Sequence, residues 1–244
     1  MPFKPPIAIS YRPKKDDYLP VVIASIRRYL GDWPIALICE AKDLPPPGWL
    51  ERNAVSAITD WQHSQHANKV QRFWEHQAVF SRYYESWIWW HDDMLLLRPV
   101  ADPVREFSQP IVARKRANRP NRKLSNWHRW LWDTLTFFDC QNIPAPNPVM
   151  HIPRVVDRQS LSLIPEQWNR SRLLFEPTYL LSHWHRLGLQ PQLVKAYRKS
   201  VFTGEMPAIS ELESAGFTIL NWGRKIDHES ARREFGRLYP LSFE

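Results

Sequence analysis

The stretch that decides the fold runs Ile7-Ala8-Ile9-Ser10-Tyr11, then Arg12-Pro13-Lys14-Lys15-Asp16-Asp17, then Pro20-Val21-Val22-Ile23-Ala24-Ser25-Ile26-Arg27-Arg28-Tyr29-Leu30-Gly31, then Pro34-Ile35-Ala36-Leu37-Ile38-Cys39-Glu40. Its first part follows a proline pair and reads as a strand that ends in a polar loop. Pro20 suits the first turn of a helix, where its missing N–H is not needed. Val22, Ile23, Ile26 and Leu30 recur at helical spacing, and Gly31 stands where the helix should stop. Pro34 to Glu40 is nearly all apolar and predicts a strand buried on both faces. Strand, helix and strand in succession predict a parallel sheet.

Outward from there, Pro45-Pro46-Pro47-Gly48 reads as a break and Ala54 to Asp60 as a short third strand. Asn68 to Tyr84 has no proline or glycine and carries Val70, Phe73, Trp74, Gln77, Ala78, Phe80 and Ser81 in an amphipathic pattern, which predicts a helix. Trp87 to Trp90 is an aromatic strand leading into His91-Asp92-Asp93. Ile111 to Ala113 reads as a strand, and Ser125 to Phe138 as a helix capped by Ser125 or Asn126. Later elements are a helix near Leu173 to Leu187, a strand near Gln192 to Ala196 and a last strand near Phe217 to Asn221. The whole reads as α/β, one domain with a central, mostly parallel sheet flanked by helices.

The 244 residues include 22 prolines but only seven glycines, no two of them close in sequence. That excludes a Gly-x-Gly-x-x-Gly dinucleotide loop, a Walker A loop and a Gly-x-Ser-x-Gly elbow. A phosphate would have to be held by side chains or a metal. With 43% hydrophobic residues the chain can bury a large core, and no apolar run nears the roughly 20 residues of a bilayer span. Met1-Pro2-Phe3-Lys4-Pro5-Pro6 lacks the apolar core of a signal peptide, so a cytoplasmic protein is expected. Cys39 and Cys140 lie far apart in apolar contexts and are expected to be buried thiols. The net charge of +8 favours a polyanionic partner. Much of it falls in an acid-free stretch from Phe107 to Trp132, where Arg114, Lys115, Arg116, Arg119, Arg122 and Lys123 precede Trp127, His128, Arg129, Trp130 and Trp132. Basic groups there suit phosphates, and tryptophans can stack on bases or sugars.

Two adjacent carboxylates, Asp92 and Asp93, at the end of an apolar strand are costly unless paired or bound to a cation. In an open parallel sheet ligands sit at the carboxyl ends of strands, where this pair falls. Strand alternation would put His91 and Asp93 on one side and Asp92 on the other, so that one carboxylate reaches a metal and the other a sugar hydroxyl. Oxygen ligands favour Mg or Mn over Zn. Read alone, the pair also fits a turn or helix cap beside Arg98. Asp16-Asp17, among lysines before a helix, reads as a solvated cap.

The strand ending in His91-Asp92-Asp93 and running into Leu95-Leu96-Leu97-Arg98-Pro99 resembles the Asp-x-Asp region of GT-A fold glycosyltransferases. It is most similar to the Asn-Asp-Asp form found in bacteriophage-encoded glycosyltransferase-like proteins and, more distantly, in Stealth sugar-phosphate transferases. Local matches follow in the same order: Asn68-Lys69 opening the preceding helix, His151-Ile152-Pro153 followed by Asp157, and Leu238-Tyr239-Pro240-Leu241-Ser242-Phe243-Glu244, like a Phe-Pro-x-x-Ser-x-Glu ending. His91 stands where Asn or Asp is usual.

The resemblance implies a nucleotide-sugar transferase of a single GT-A-like domain, with residues 1–105 as the nucleotide-sugar half and 106–244 as the acceptor half. Ser10, Tyr11 and Arg12 would lie near the donor base and ribose, with Asn68, Lys69 and Asp92 completing the donor site. Asp93, with His91 and His151, would hold a divalent Mn or Mg against the diphosphate of a UDP-sugar. Glu176 and Asp157 are the candidate bases for the acceptor hydroxyl. The basic stretch Arg114, Lys115, Arg116, Arg119, Arg122 and Lys123, with Trp127, points to DNA, and the phage resemblance to a hydroxymethylated base in the cytoplasm of a host cell. Transfer to a glycan or surface polymer, sugar-phosphate transfer included, is the first alternative, and a non-catalytic nucleic-acid-binding protein the second. His63-x-x-His66 and His183-x-His185 lack the other ligands of a zinc site.

Overall fold

Five strands form the central sheet of the computed structural model, which describes residues 4–14, 16–59, 69–112, 126–165, 173–194 and 197–243. They are β1 (Ile7–Ser10), β2 (Ile35–Ile38), β3 (Val55–Ile58), β4 (Ser86–His91) and β7 (Arg154–Asp157), in the order β3-β2-β1-β4-β7. The first four are parallel, and β7 closes the edge antiparallel to β4. Between them the chain forms α1 (Leu19–Leu30), α2 (Pro47–Arg52) and α3 (Lys69–Tyr83). β5 (Met94–Leu96), α4 (Pro103–Phe107), β6 (Ile111–Val112) and α5 (Asn126–Cys140) lie between β4 and β7. After β7 come α6 (Arg158–Ser162), α7 (Phe175–Arg186), β8 (Gln192–Leu193), β9 (Arg198–Gly204), α8 (Ile209–Ser214), β10 (Ile219–Ile226) and α9 (His228–Gly236).

The apolar runs of β1, β2 and β4 follow from cover on both faces. Ile7, Ile9, Ile88 and Trp90 enter one core with Val22, Ile23 and Ile26 of α1. Their neighbours Ala8, Trp87 and Trp89 enter the other, with Trp74 and Phe80 of α3, Leu131, Leu135 and Phe138 of α5, and Phe175 and Tyr179 of α7. Period-two alternation thus divides each strand between two cores. α1 ends where the sequence predicts: Gly31 takes φ +60° and its N–H donates to the Arg27 carbonyl at 3.0 Å.

A second sheet, in the order β5-β10-β9, grows from the end of β4. β10 runs antiparallel to β5 and parallel to β9. The Ser25 hydroxyl of α1 accepts the Leu96 N–H of β5 at 3.4 Å. β10 bulges between Trp222 and Lys225, and a Cβ on Gly223 there would meet the Phe202 carbonyl at 3.0 Å and its Cα at 3.1 Å. Only glycine lets the two backbones come this close. β6 and β8 form a separate parallel pair.

Several expectations change. Pro47 and Gly48 open α2 rather than ending order, because proline is tolerated in a helix's first turn. Met94 to Leu96 forms a strand of its own, the last strand runs on to Ile226, and α9 follows it. Cys39 is buried, and burial pushes its thiol up to about 11, but Cys140, at the end of α5, is exposed. β7 completes the central sheet and β10 pairs with β5, so the portions 1–105 and 106–244 are interleaved. Among the described residues no helix is long and apolar enough to cross a membrane.

Candidate functional site

From β1 the chain winds through β2 to β3 on one side, then returns to lay β4 on the other. The sheet's switch point therefore lies between the carboxyl ends of β1 and β4, the crevice where open α/β sheets bind ligands. There Ser10 pairs in register with His91, and the Ser10 hydroxyl is buried with no hydrogen-bond partner. Tyr11 continues the pairing through its N–H to the Ile38 carbonyl at 2.9 Å, but its ring is buried in the core. Its hydroxyl donates to Asp17, whose other oxygen accepts the Leu19 N–H at 3.0 Å. Burial, with the Asp92 charge nearby, raises the Asp17 carboxyl above its ordinary range. Asp16 pairs with Arg232 at 2.6 Å and lies 3.6 Å from His228, tying the loop to α9. Neither acid is simply solvated as expected, though Asp17 does take an N–H at the start of α1. Arg12 is exposed.

Asp92 and Asp93 are a two-residue turn between β4 and β5, so strand alternation does not apply to them. The turn is fixed by its backbone: the Trp222 N–H donates to the Asp93 carbonyl at 3.2 Å, and Trp90 Nε1 donates to the Met94 carbonyl at 3.2 Å. Asp92 Oδ2 lies 2.6 Å from Lys14 Nζ on the β1–α1 loop. Its ion-pair partner is therefore Lys14.

Beside the turn, His91 packs among rings, 4.5 Å from Trp89, 5.9 Å from Phe73 and 6.2 Å from His151 between centroids. His151 holds a left-handed backbone at φ +46°. Trp127 stacks on it at 6.2 Å, and Phe202 of β9 meets its edge at 6.1 Å. Trp127 is half-buried against the second core, not a free platform. Opposite Met94, Asn221 of β10 is fully buried, and its Oδ1 accepts from Ser200 at 2.9 Å and Arg198 at 3.2 Å. This polar group went unread in the sequence, because only the pairing of β9 with β10 brings its members together.

Glu176, in the first turn of α7, lies 3.8 Å from Nε of the buried Arg154, and the Met150 N–H bonds to it. Burial outweighs the attraction of Arg154 and pushes the carboxyl up to about 7. Arg154 itself anchors the carbonyls of Gln109, Ile111 and Pro148. Phe175, next to Glu176, packs 5.2 Å from Trp89, which adjoins His91.

Asp157 is elsewhere. It pairs in register with Ser86, at the opposite end of β4 from Asp92, and β4 itself spans roughly 17 Å at about 3.3 Å per residue. It caps α6 by accepting the Ser160 N–H at 2.6 Å and takes a second bond from the Tyr179 hydroxyl at 3.1 Å. Burial alone would raise its carboxyl, but the bonds from Ser160 and Tyr179 hold it below the ordinary range. It is a capping residue, too distant to act at the acidic turn. Asn68, Arg114, Lys115, Arg116, Arg119, Arg122 and Lys123 lie outside the described residues, as does the side chain of Lys69 and the His63-x-x-His66 pair.

Among the described residues no group of three or more His, Cys, Asp or Glu side chains is arranged to hold a metal. The turn's two carboxylates are oxygen donors of the kind that hard cations take, and one of them, Asp92, is held by Lys14.

No protein-family model matches the sequence, and no curated protein does. Among solved structures, the chain is similar to a glycosyltransferase involved in the glycosylation of the major capsid of the virus PBCV-1. The identity is 11% and the TM-score 0.36, over 95% of this chain and 100% of that one. At that score the likeness assigns neither residues nor activity.

Proposed function

We propose that this protein is a glycosyltransferase that moves a sugar from a nucleotide diphosphate donor, a UDP-sugar, to an acceptor hydroxyl. The reading is carried by one observation: the acidic turn Asp92-Asp93 stands at the carboxyl end of β4, against β1, at the switch point of the sheet. It agrees with the resemblance of His91-Asp92-Asp93 to the Asp-x-Asp region, and with a chain whose glycines form no phosphate loop.

In this reading Ser10 and the Tyr11–Asp17 pair border the nucleoside, and Asp92 and Lys14 border the diphosphate. Asp93 holds a divalent Mn or Mg, with His91 and His151 beside it. The cation supplies positive charge to the departing diphosphate. Glu176 takes the acceptor proton, and a carboxyl near 7 suits a base working at neutral pH.

The acceptor is a hydroxymethylated base in DNA, a reading that rests on the acid-free basic stretch. Transfer to a glycan is favoured instead by Phe202, 49% exposed beside His151 and the Arg198–Ser200–Asn221 group. Incubation with a mixture of UDP-sugars and Mn, on 5-hydroxymethylated DNA and on an oligosaccharide mixture, separates the readings. Mass spectrometry should find a glycosylated nucleoside, and the affinity for DNA should fall steeply with salt. A glycosylated oligosaccharide with unmodified DNA moves the acceptor to glycan. No product with either acceptor, together with no hydrolysis of any donor, removes the transferase.

A further inference from the structure

A cleft of about 780 Å³ runs beside β9, the last strand of the second sheet, and the donor site makes no use of it. Buried Val201 and Met206 line it together with the exposed ring of Phe202, while Glu211 brings in α8 and Arg233 and Glu234 bring in α9. We infer that this cleft binds an oligosaccharide, seated on the ring of Phe202. The proposal concerns binding, stands on the cleft and not on the donor site, and holds whichever hydroxyl accepts the transferred sugar.

An exposed ring alone is ordinary on a protein surface. This one is held in place and faces groups of a particular kind. The Phe202 backbone passes the bulge of β10 at Gly223, where a Cβ would stand 3.0 Å from Phe202 Cδ1, so the ring lies close against a strand that carries no side chain at that point. His151 meets it on another side at 6.1 Å between centroids. The part left open, 49% of the residue, is a fixed aromatic surface that the C–H face of a pyranose can cover with little loss of rotamer freedom. Near it Ser200, Thr203, Lys199 and Glu211 line the same cleft and supply donors and acceptors for hydroxyls.

Charge decides the class of ligand. The lining carries two cations, Lys199 and Arg233, against three carboxylates, Glu205, Glu211 and Glu234. A phosphate backbone needs an excess of Lys and Arg, so this balance turns a nucleic acid away and suits an uncharged ligand rich in hydroxyls. The cleft is also built before a ligand arrives. Arg233 pairs with Glu205 at 3.1 Å and lies 3.7 Å from Glu234, and the Met206 N–H donates to the Ser230 hydroxyl at 2.9 Å, so the segment from Glu205 to Met206 is tied to α9. Its volume falls in the range of roughly 300–1,000 Å³ common to preformed ligand sites. Through His151, which lies 6.2 Å from His91, the Phe202 wall connects to the flank of the acidic turn.

Calorimetry on the full chain tests the inference with hexasaccharides of glucose, mannose, galactose and N-acetylglucosamine, and with a short DNA duplex. At least one hexasaccharide should bind the wild type. Phe202→Ala should weaken that binding about tenfold, and Phe202→Trp, which keeps an aromatic face, should retain it. Glu211→Gln, which alters one hydroxyl partner and leaves the ring, should weaken it by a smaller factor. No binding of any of the hexasaccharides, or binding that Phe202→Ala leaves unchanged, overturns the proposal. A duplex whose affinity falls in Phe202→Ala would make the cleft part of a nucleic-acid surface and overturns it as well. Circular dichroism of each variant checks the fold, and retention of binding by Phe202→Trp separates loss of the platform from loss of structure. Titration of the wild type with UDP and Mn is read separately: its failure removes the donor site and leaves the cleft standing, and failure of the hexasaccharides does the reverse.

Discussion

A carboxylate stands beside each end of β4, Asp157 of β7 at one and Asp92 of the following turn at the other, and the two are treated differently. At the amino end Asp157 is saturated: the Ser160 N–H and the Tyr179 hydroxyl bond to it, and His183 stands 3.7 Å away. Those partners belong to α6 and α7, and the result is a capped helix at the sheet edge. At the carboxyl end Asp92 is balanced by one exposed lysine, and the neighbouring Ser10 hydroxyl is buried without a partner. A carboxylate satisfied by fixed neutral donors stabilises a fold. One held by a movable charge beside an orphan hydroxyl is open to a ligand.

Substitution at the two ends should break this contrast in opposite ways. Asp93→Ala should reduce sugar transfer roughly a hundredfold or more, a size typical of a group that stabilises transition-state charge, with little change in Tm. Asp157→Ala should do the reverse. It should lose about 1 kcal/mol of stability through the missing cap, measured by urea unfolding, while UDP affinity stays that of the wild type.

The pH dependence of stability carries the same contrast. Asp157 has a lowered folded value, so its stabilisation is present above the unfolded value near 3.8 and is lost as pH falls. Glu176 has a folded value of about 7 against 4.5, so the folded state favours its protonated form. That stabilisation is full below 4.5 and is lost as pH rises through 7. Glu176→Gln should flatten the stability profile between those limits, read from unfolding midpoints across pH. It should also remove the acid limb of the transfer rate. An unchanged acid limb would take the role of base from Glu176. The smallest effect belongs to Ser10→Ala: deleting an unpaired buried hydroxyl should leave stability within about 0.5 kcal/mol, or improve it, and UDP binding should weaken.

The central strands were legible because burial on both faces writes itself as unbroken apolar sequence, as in Ile35 to Ile38. The acidic turn was legible because two charges so close to Trp87–Trp90 need a reason. β9 was not, since its residues, Arg198 to Gly204, are mostly exposed or half-exposed and mix charged, polar and apolar types. β7 was hidden by its charged ends, Arg154 and Asp157, whose partners come from distant segments. Asp16, Asp17 and Lys14 looked like one solvated run, and only the packing of the β1–α1 loop against α9 and the β4–β5 turn gives each a separate task. Glu176 was named from its apolar neighbours, but Arg154, which shares its burial, sits far back in the chain and left no mark.

The most direct measurement is a calorimetric titration of UDP, with Mn present, into the wild type, Asp93→Ala and Asp157→Ala. The account predicts saturable binding at one site in the wild type and in Asp157→Ala, and its loss in Asp93→Ala. No binding to the wild type, or equal binding to Asp93→Ala, would contradict a nucleotide site at the carboxyl end of β4.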